Sequence, residues 1–291
     1  MEKVINFNWY PGHMAHTRRN IKNHIFKADL VIEILDARIP WTSRAYLLED
    51  NLKKKKRIIL LNKTDLADSS MTQKWVNYYR KTGDVLSVSS HSSLSNSFVK
   101  KVYSVLRAVK PELHKVKLNH KIIVVGIPNV GKSRFINGLV GKKKAKVENK
   151  PGVTRGPQWI KIDEGYELMD LPGVLAPSII NDEAAIKLAL CNSMSRDNVD
   201  IEMCIDLLIN NIKSSPKRFE HKFVDFIRRS EFPILEYAKS LNFISKGNLP
   251  DEKRAMKKIL KDFDSGKFGK LTLDDLSLTE IVEESGEKIE D

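Results

Sequence analysis

The sequence predicts an α/β fold, a mostly parallel sheet flanked by helices, followed by a small all-helical C-terminal domain. Over the first two thirds of the chain, stretches of strand and helix character alternate. The strand-like runs are short, continuous, rich in β-branched residues and bounded by polar loops, which is the pattern of strands buried on both faces. After about residue 178 such runs stop. Phe219, Phe223, Phe226 and Ile227 then keep helical spacing, as do Met256, Ile259, Leu260 and Phe263.

In chain order the alternating stretches are DLVIEILDA (29–37), RIILLN (57–62), DVLSVSS (84–90), NSFVKKVYSVLRAV (96–109), KIIVVG (121–126), KSRFINGLV (132–140), QWIKI (158–162) and YELMDLPG (166–173). A chain of 291 residues fits roughly two domains, expected here as 1–178 and 179–291. Its longest apolar runs, such as LVIEI and RIILL, fall far short of the roughly 20 residues of a membrane span. MEKVINFNWYPG at the N-terminus lacks a signal-peptide core. A soluble, unexported protein with no membrane partner is expected. Cys191 and Cys204 have neither metal-ligand spacing nor a framework count and are expected to be reduced core thiols.

Charge is uneven. The net is +13, yet residues 270–291 hold eight acidic residues against Lys270 and Lys288, leaving 48 basic and 29 acidic residues in 1–269, a net +19. Such an excess is the electrostatic footprint of a polyanion binder. Solvated lysines or a basic proteome bias would leave the same surplus.

GIPNVGKS (126–133) matches G-x-x-x-x-G-K-S between a strand and a helix, the context in which that spacing cradles phosphates. Amides around Gly131 are expected to wrap the phosphates, Lys132 to reach the β/γ oxygens and Ser133 to ligate Mg²⁺. Asn129, Val130 and Arg134 complete the nucleotide-binding residues expected in this loop. DLPG (170–173) closes a strand; Asp170 would hold Mg²⁺ through water and the Gly173 amide would sense the γ-phosphate. In PGVTRG (151–156), the Thr154 hydroxyl could cap Mg²⁺ and γ-phosphate. Lys132, Thr154 and Gly173 are thus the expected contacts to the transferring group.

NKTD (62–65) follows the apolar strand RIILL. Asp65 would accept hydrogen bonds from the N1–H and exocyclic amine of guanine, Asn62 would hold N7 and the phosphate loop, and the Lys63 stem would lie along the ring. Adenine offers no donors there, so a desolvated carboxylate would stay unpaired, which favours GTP over ATP. SVSS (87–90) ends the next strand, where Ser89 and Ser90 can donate amides to guanine O6. A P-loop kinase or ATPase is disfavoured on the same grounds.

The base reader precedes the phosphate loop, the reverse of the usual order. KPELHKVKLNH (110–120) can bridge the customary ends while the chain opens between DLPG and NKTD. The expected domain is therefore a circularly permuted P-loop GTPase. Permutation also leads the loop after Asp170 through VLAPSIIND (174–182) into the helical domain, a physical reason to expect nucleotide control of that domain.

These residues resemble the RbgA/YlqF family of circularly permuted bacterial GTPases that assist assembly of the large ribosomal subunit. The likeness rests on NWYPGHM (8–14), DARIP (36–40), NKTD, GIPNVGKS, PGVTRG, DLPGVL (170–175) and DFDSGKFGKLTL (262–273), and covers nearly the whole chain. It implies a cytoplasmic protein, expected to be monomeric, whose helical domain contacts ribosomal RNA on a late large-subunit precursor and whose GTP hydrolysis accompanies release. Val174 stands where many GTPases carry the water-orienting glutamine. The resemblance suggests His13 for that task; structuring the N-terminal segment or touching RNA are its other roles. Related GTPases with an asparagine at the position of Asn129 use a K⁺ ion, so K⁺ stimulation is expected, as is stimulation by the subunit. RNA contacts are expected from Lys142, Lys143, Lys144, Arg18 and Arg19, and from Lys253, Arg254, Lys257, Lys258 and Lys261 around the apolar face of 252–263. A nucleotide-gated RNA-binding scaffold with incidental hydrolysis is the alternative, kept open by Val174.

Overall fold

The structure, a computed structural model, describes residues 21–81, 83–87, 95–109, 119–140, 159–163, 165–171, 181–217 and 219–279. They fall into two compact units, a sheet unit and a helical unit.

Among the described residues the sheet has six strands: β1 (Leu30–Asp36), β2 (Lys56–Asn62), β3 (Asp84–Ser87), β4 (His120–Val125), β5 (Ile160–Asp163) and β6 (Tyr166–Asp170). Their spatial order is β3-β2-β1-β4-β6-β5. Every neighbouring pair is parallel except β5 with β6. All seven residues of β1 are buried, as expected of a central strand covered on both faces. Its helices are α1 (21–27), the single turn α2 (Glu49–Leu52), α3 (Ser69–Tyr79), α4 (Asn96–Val109) and α5 (Lys132–Val140). Helix α3 packs beside β2 and β3, and α5 beside β5 and β6.

Side chains alternate across a strand, so Val31, Glu33 and Leu35 share a face with their partners Arg57, Ile59 and Leu61. That face carries two apolar clusters. One includes Ile21, Ile25, Val31, Leu52, Ile123 and Met169, the other Leu35, Trp41, Ile59, Leu61, Trp75 and Tyr79. The buried Glu33 is compensated rather than bare: Arg57 Nη1 lies 3.2 Å from one carboxylate oxygen, and the Ala45 amide donates to the other at 3.0 Å. Arg57 also reaches Glu49 at 3.5 Å, and Arg44 pairs with Glu49 at 2.6 Å.

The helical unit holds α6 (Asp182–Leu190), α7 (Ile201–Ser214), α8 (Lys222–Arg229), α9 (Pro233–Ser240) and α10 (Glu252–Asp264). Short polar side chains start several of them: Asn181 accepts from the Ala184 amide at 2.8 Å, Asp200 from Glu202 at 3.0 Å and Asp251 from Arg254 at 2.9 Å. Pro233 opens α9, where its missing N–H is not needed. The expected apolar face of α10, Met256, Ile259, Leu260 and Phe263, is buried, as are Phe219, Phe223 and Ile227. Cys191 and Cys204 are buried and not joined in a disulfide, and burial pushes the Cys204 thiol up to about 11. Among the described residues no helix is long and apolar enough to cross a membrane.

One boundary differs from expectation. Residues 274–279 belong to the sheet unit, not to the helical domain assigned to 179–291. Asp274 is the cause. Its carboxylate accepts hydrogen bonds from the amides of Trp41 and Thr42 at 2.9 and 2.8 Å and from the Thr42 hydroxyl at 2.8 Å, while the Trp75 indole donates to its carbonyl. Leu276 and Leu278 pack on the cluster around Trp75. Among the described residues the chain thus leaves the helical unit after Leu273 and returns to the sheet unit.

Candidate functional site

Parallel strands place all their C-terminal ends on one edge, and the phosphate loop leaves β4 there. Gly126 has φ +149°, and a Cβ on it would stand 2.6 Å from the Ile34 carbonyl oxygen. That close approach requires glycine. The loop turns with Asn129 at φ +59° and Gly131 at φ +101°, and α5 begins at Lys132. Amides at such a helix start face outward without intrahelical partners and suit an anion. Lys132 is largely buried, and its ammonium donates to the Ile127 carbonyl at 2.9 Å across the loop. Ser133 and Arg134 are exposed on the first turn, Asn129 is exposed and Val130 is buried. On the neighbouring strand, the Asp170 backbone pairs with Val124, two residues before Gly126.

Two strands away, β2 ends at Asn62, which pairs in register with Asp36 of β1. The Ala37 amide donates to the Asn62 carbonyl at 2.8 Å. The Asn62 side chain reaches past β1 to the phosphate loop, donating from Nδ2 to the Val130 carbonyl at 2.7 Å. Gly131 is glycine for this reason as well as for its φ, since a Cβ there would overlap the Asn62 amide nitrogen. The base-reading motif and the phosphate loop are therefore joined directly, although the chain meets them in permuted order.

Lys63 follows with φ +60°, and a bond from the Leu66 amide to the Lys63 carbonyl closes the turn at 2.9 Å. Its ammonium sits 2.8 Å from Asp36 Oδ2. Asp36 also receives Arg38 through Nε at 3.1 Å, Nη2 at 2.8 Å and the backbone amide at 3.0 Å. Burial would raise the Asp36 carboxyl, but the charges and hydrogen bonds of Arg38 and Lys63 outweigh it and hold the group well below the usual carboxylate range. Asp65 is partly exposed on the same turn.

Asn62, Lys63, Asp65, Asn129, Val130, Gly131, Lys132, Ser133 and Arg134 thus lie beyond the C-terminal ends of β2 and β4, from the last residue of β2 and its following turn to the loop after β4 and the first turn of α5. His13, Ser89, Ser90, Thr154, Gly173, Val174, Arg18, Arg19, Lys142, Lys143, Lys144 and the Asp170 side chain lie outside the described residues. The exposed Ser133 hydroxyl, with the Asp170 backbone on the adjacent strand, fits a Mg²⁺ carried in on nucleotide phosphates, an ion that usually takes few protein ligands. Sequence reasoning missed Asp36, Arg38 and Asp274. A carboxylate ending a mostly apolar run, with arginine two residues on, was the available signal for the first two. On α10, Lys253, Arg254, Lys257 and Lys261 are exposed, with Arg254 4.2 Å over the Phe243 ring, whereas Lys258 pairs with Asp262.

A family model described as 50S ribosome-binding GTPase matches residues 121–239. Ribosome biogenesis GTPase A of Bacillus cereus is 30% identical over 296 residues, spanning 97% of this chain and 96% of that protein. Two solved YlqF structures are similar. The GDP-bound one superposes with a TM-score of 0.67 at 26% identity, covering 89% of this chain and 100% of its own. The GNP-bound one, from T. maritima, has a TM-score of 0.64 at 27% identity and covers 88% and 97%. The circularly permuted fold, the site at its strand ends and near full-length similarity together place this chain in the RbgA/YlqF family of ribosome biogenesis GTPases.

Proposed function

We propose that this chain is a GTP-hydrolysing assembly factor that binds a late precursor of the large ribosomal subunit and leaves after hydrolysis, working as a cytoplasmic monomer. The hydrogen bond from Asn62 to Val130 carries the nucleotide part of this reading, because it fixes the base reader relative to the phosphate loop at 2.7 Å. The assembly part is supported by the names of the relatives and by the net +19 of residues 1–269, which suits ribosomal RNA.

Asp65 accepts from the guanine N1–H and amine, and the amides of Ser89 and Ser90 donate to O6. Lys132 exchanges the Ile127 carbonyl for the β/γ-phosphate oxygens, gaining a charged acceptor for a neutral one. Ser133 and Thr154, with Asp170 through water, would hold Mg²⁺, which would supply charge neutralisation at the phosphates. Gly173 senses the γ-phosphate. His13 positions the attacking water, the task Val174 cannot perform, and Asn129 accompanies an activating K⁺. Because the chain runs on from this edge into the helical unit, nucleotide state controls RNA binding by that unit. Exposed lysines and arginines of α10 contact RNA phosphates; Lys258, already paired, contributes less.

GTP turnover in KCl and in NaCl, with and without purified large subunits, tests this reading against His13→Ala. Stimulation that the variant loses, with nucleotide and subunit binding intact, is the expected result. Absence of stimulation in either salt would favour a nucleotide-gated RNA-binding scaffold, the reading that Val174 supports.

A further inference from the structure

DARIP (36–40) carries part of the family likeness, yet nothing above gives it a task. Its first residue, Asp36, is completely buried at the end of the central strand and lies opposite Asn62 in register. Its carboxylate is shared. Arg38 occupies it from one side through Nε, Nη2 and its own amide, and the Lys63 ammonium takes Oδ2 at 2.8 Å. Arg38 is itself almost fully buried, so this pair has little freedom to rearrange.

Lys63 needs such a partner. It is a non-glycine residue at φ +60° at the start of a turn, and a lysine side chain has many rotamers to choose among. With its head fixed at Asp36 and its backbone fixed by Asn62 and Leu66, the four-carbon stem is stretched between two anchored ends. We propose that Asp36 is a positioning residue for guanine recognition, holding the Lys63 ammonium so that the lysine stem forms a rigid wall of the base site between Asn62 and Asp65. Arg38 keeps the carboxylate in the rotamer that meets Lys63. The proposal rests on the reading of Asn62–Asp65 as the guanine site, and adds to it a contact between motifs that no spacing rule connects.

The test compares wild type, Asp36→Asn, Lys63→Met and the double variant for binding of GDP, ADP and tripolyphosphate by calorimetry with Mg²⁺ present. The wild type is expected to prefer GDP to ADP. Asp36→Asn is expected to weaken GDP about tenfold while tripolyphosphate, which touches only the phosphate loop, stays within twofold. A general loss of folding would weaken both ligands together and would overturn the assigned role. In the Lys63→Met background, which retains most of the stem but has no ammonium to hold, Asp36→Asn is expected to cost GDP affinity nothing further. Additive losses would overturn the proposal even if Asp36→Asn alone unfolds part of the protein. Guanine preference in the wild type with unchanged GDP binding in Asp36→Asn would overturn the positioning role alone. Equal GDP and ADP affinity in the wild type would overturn the base-site reading and this proposal with it.

Discussion

Each unit buries a carboxylate among several cations. In the sheet unit, Asp36 takes Arg38 and Lys63, all three held at strand ends whose register is fixed by β1 and β2. In the helical unit, Asp262 of α10 takes Lys258 four residues before it, Lys267 on the following turn at 2.9 Å, and His221 at 3.3 Å. Lys267 is 60% exposed and Lys258 34%, whereas Arg38 is 3% and Lys63 14%. The first cluster sets positions; the second ties α10 to the turn after it and to the start of α8, with its two lysines partly in water. Burial of the partners, more than the number of charges, separates a device that orients ligand-facing groups from one that secures local structure.

The largest effect should come from disturbing the rigid end. Gly131→Ala forces a Cβ onto the Asn62 amide at a positive φ, so GDP binding by calorimetry should fall about 100-fold, roughly 3 kcal/mol. Binding within threefold of wild type would break the distinction drawn above.

Next comes Asp274→Ala. It removes a buried carboxylate that accepts three hydrogen bonds from Trp41 and Thr42 and leaves two amides without that partner. Urea denaturation of the sheet unit should show a loss of about 2 to 4 kcal/mol. Asp262→Asn, by contrast, should cost the helical unit only about 1 kcal/mol, because two of its three partners are partly solvated. Equal costs for the two substitutions would mean that partner exposure does not matter here.

The smallest effect is a pH dependence confined to the helical unit. Burial, helped by Lys258 and Lys267, lowers the His221 pKa against the pull of Asp262. A folded histidine with a depressed pKa contributes stability above its unfolded value near 6.5 that is lost as pH falls. Protonation also removes the Nδ1 acceptor that caps the Phe223 amide at 3.2 Å. Stability measured by urea should fall by under about 1 kcal/mol from pH 7 to 5, and His221→Asn should flatten that slope by keeping a neutral cap. A rise in stability on acidification would reverse the assigned sign.

Much of this molecule was readable in advance, and the exceptions share a physical cause. The runs LVIEILD, KRIILLN and HKIIVV became β1, β2 and β4 because segments rich in β-branched residues and leucine suit strands covered on both faces. The spacing of Met256, Ile259, Leu260 and Phe263 placed the buried face of α10 for an equally local reason. The phosphate loop was legible because its glycines are demanded by backbone geometry within eight residues. Asp274 was not legible: an aspartate beside another aspartate near an acidic tail looks solvated, and only its meeting with residues 41 and 42, far back in the chain, makes it a buried anchor.

The elements and the permuted order of the motifs follow from the sequence, since both depend on periodicity and on residue types within short windows. Tertiary structure alone decided that Asp36 joins Arg38 to Lys63 and that the chain returns to the sheet at Asp274. Those are contacts between groups whose pairing depends on sheet register and strand order, and a buried carboxylate declares its partners only once the backbone has brought them within hydrogen-bonding distance.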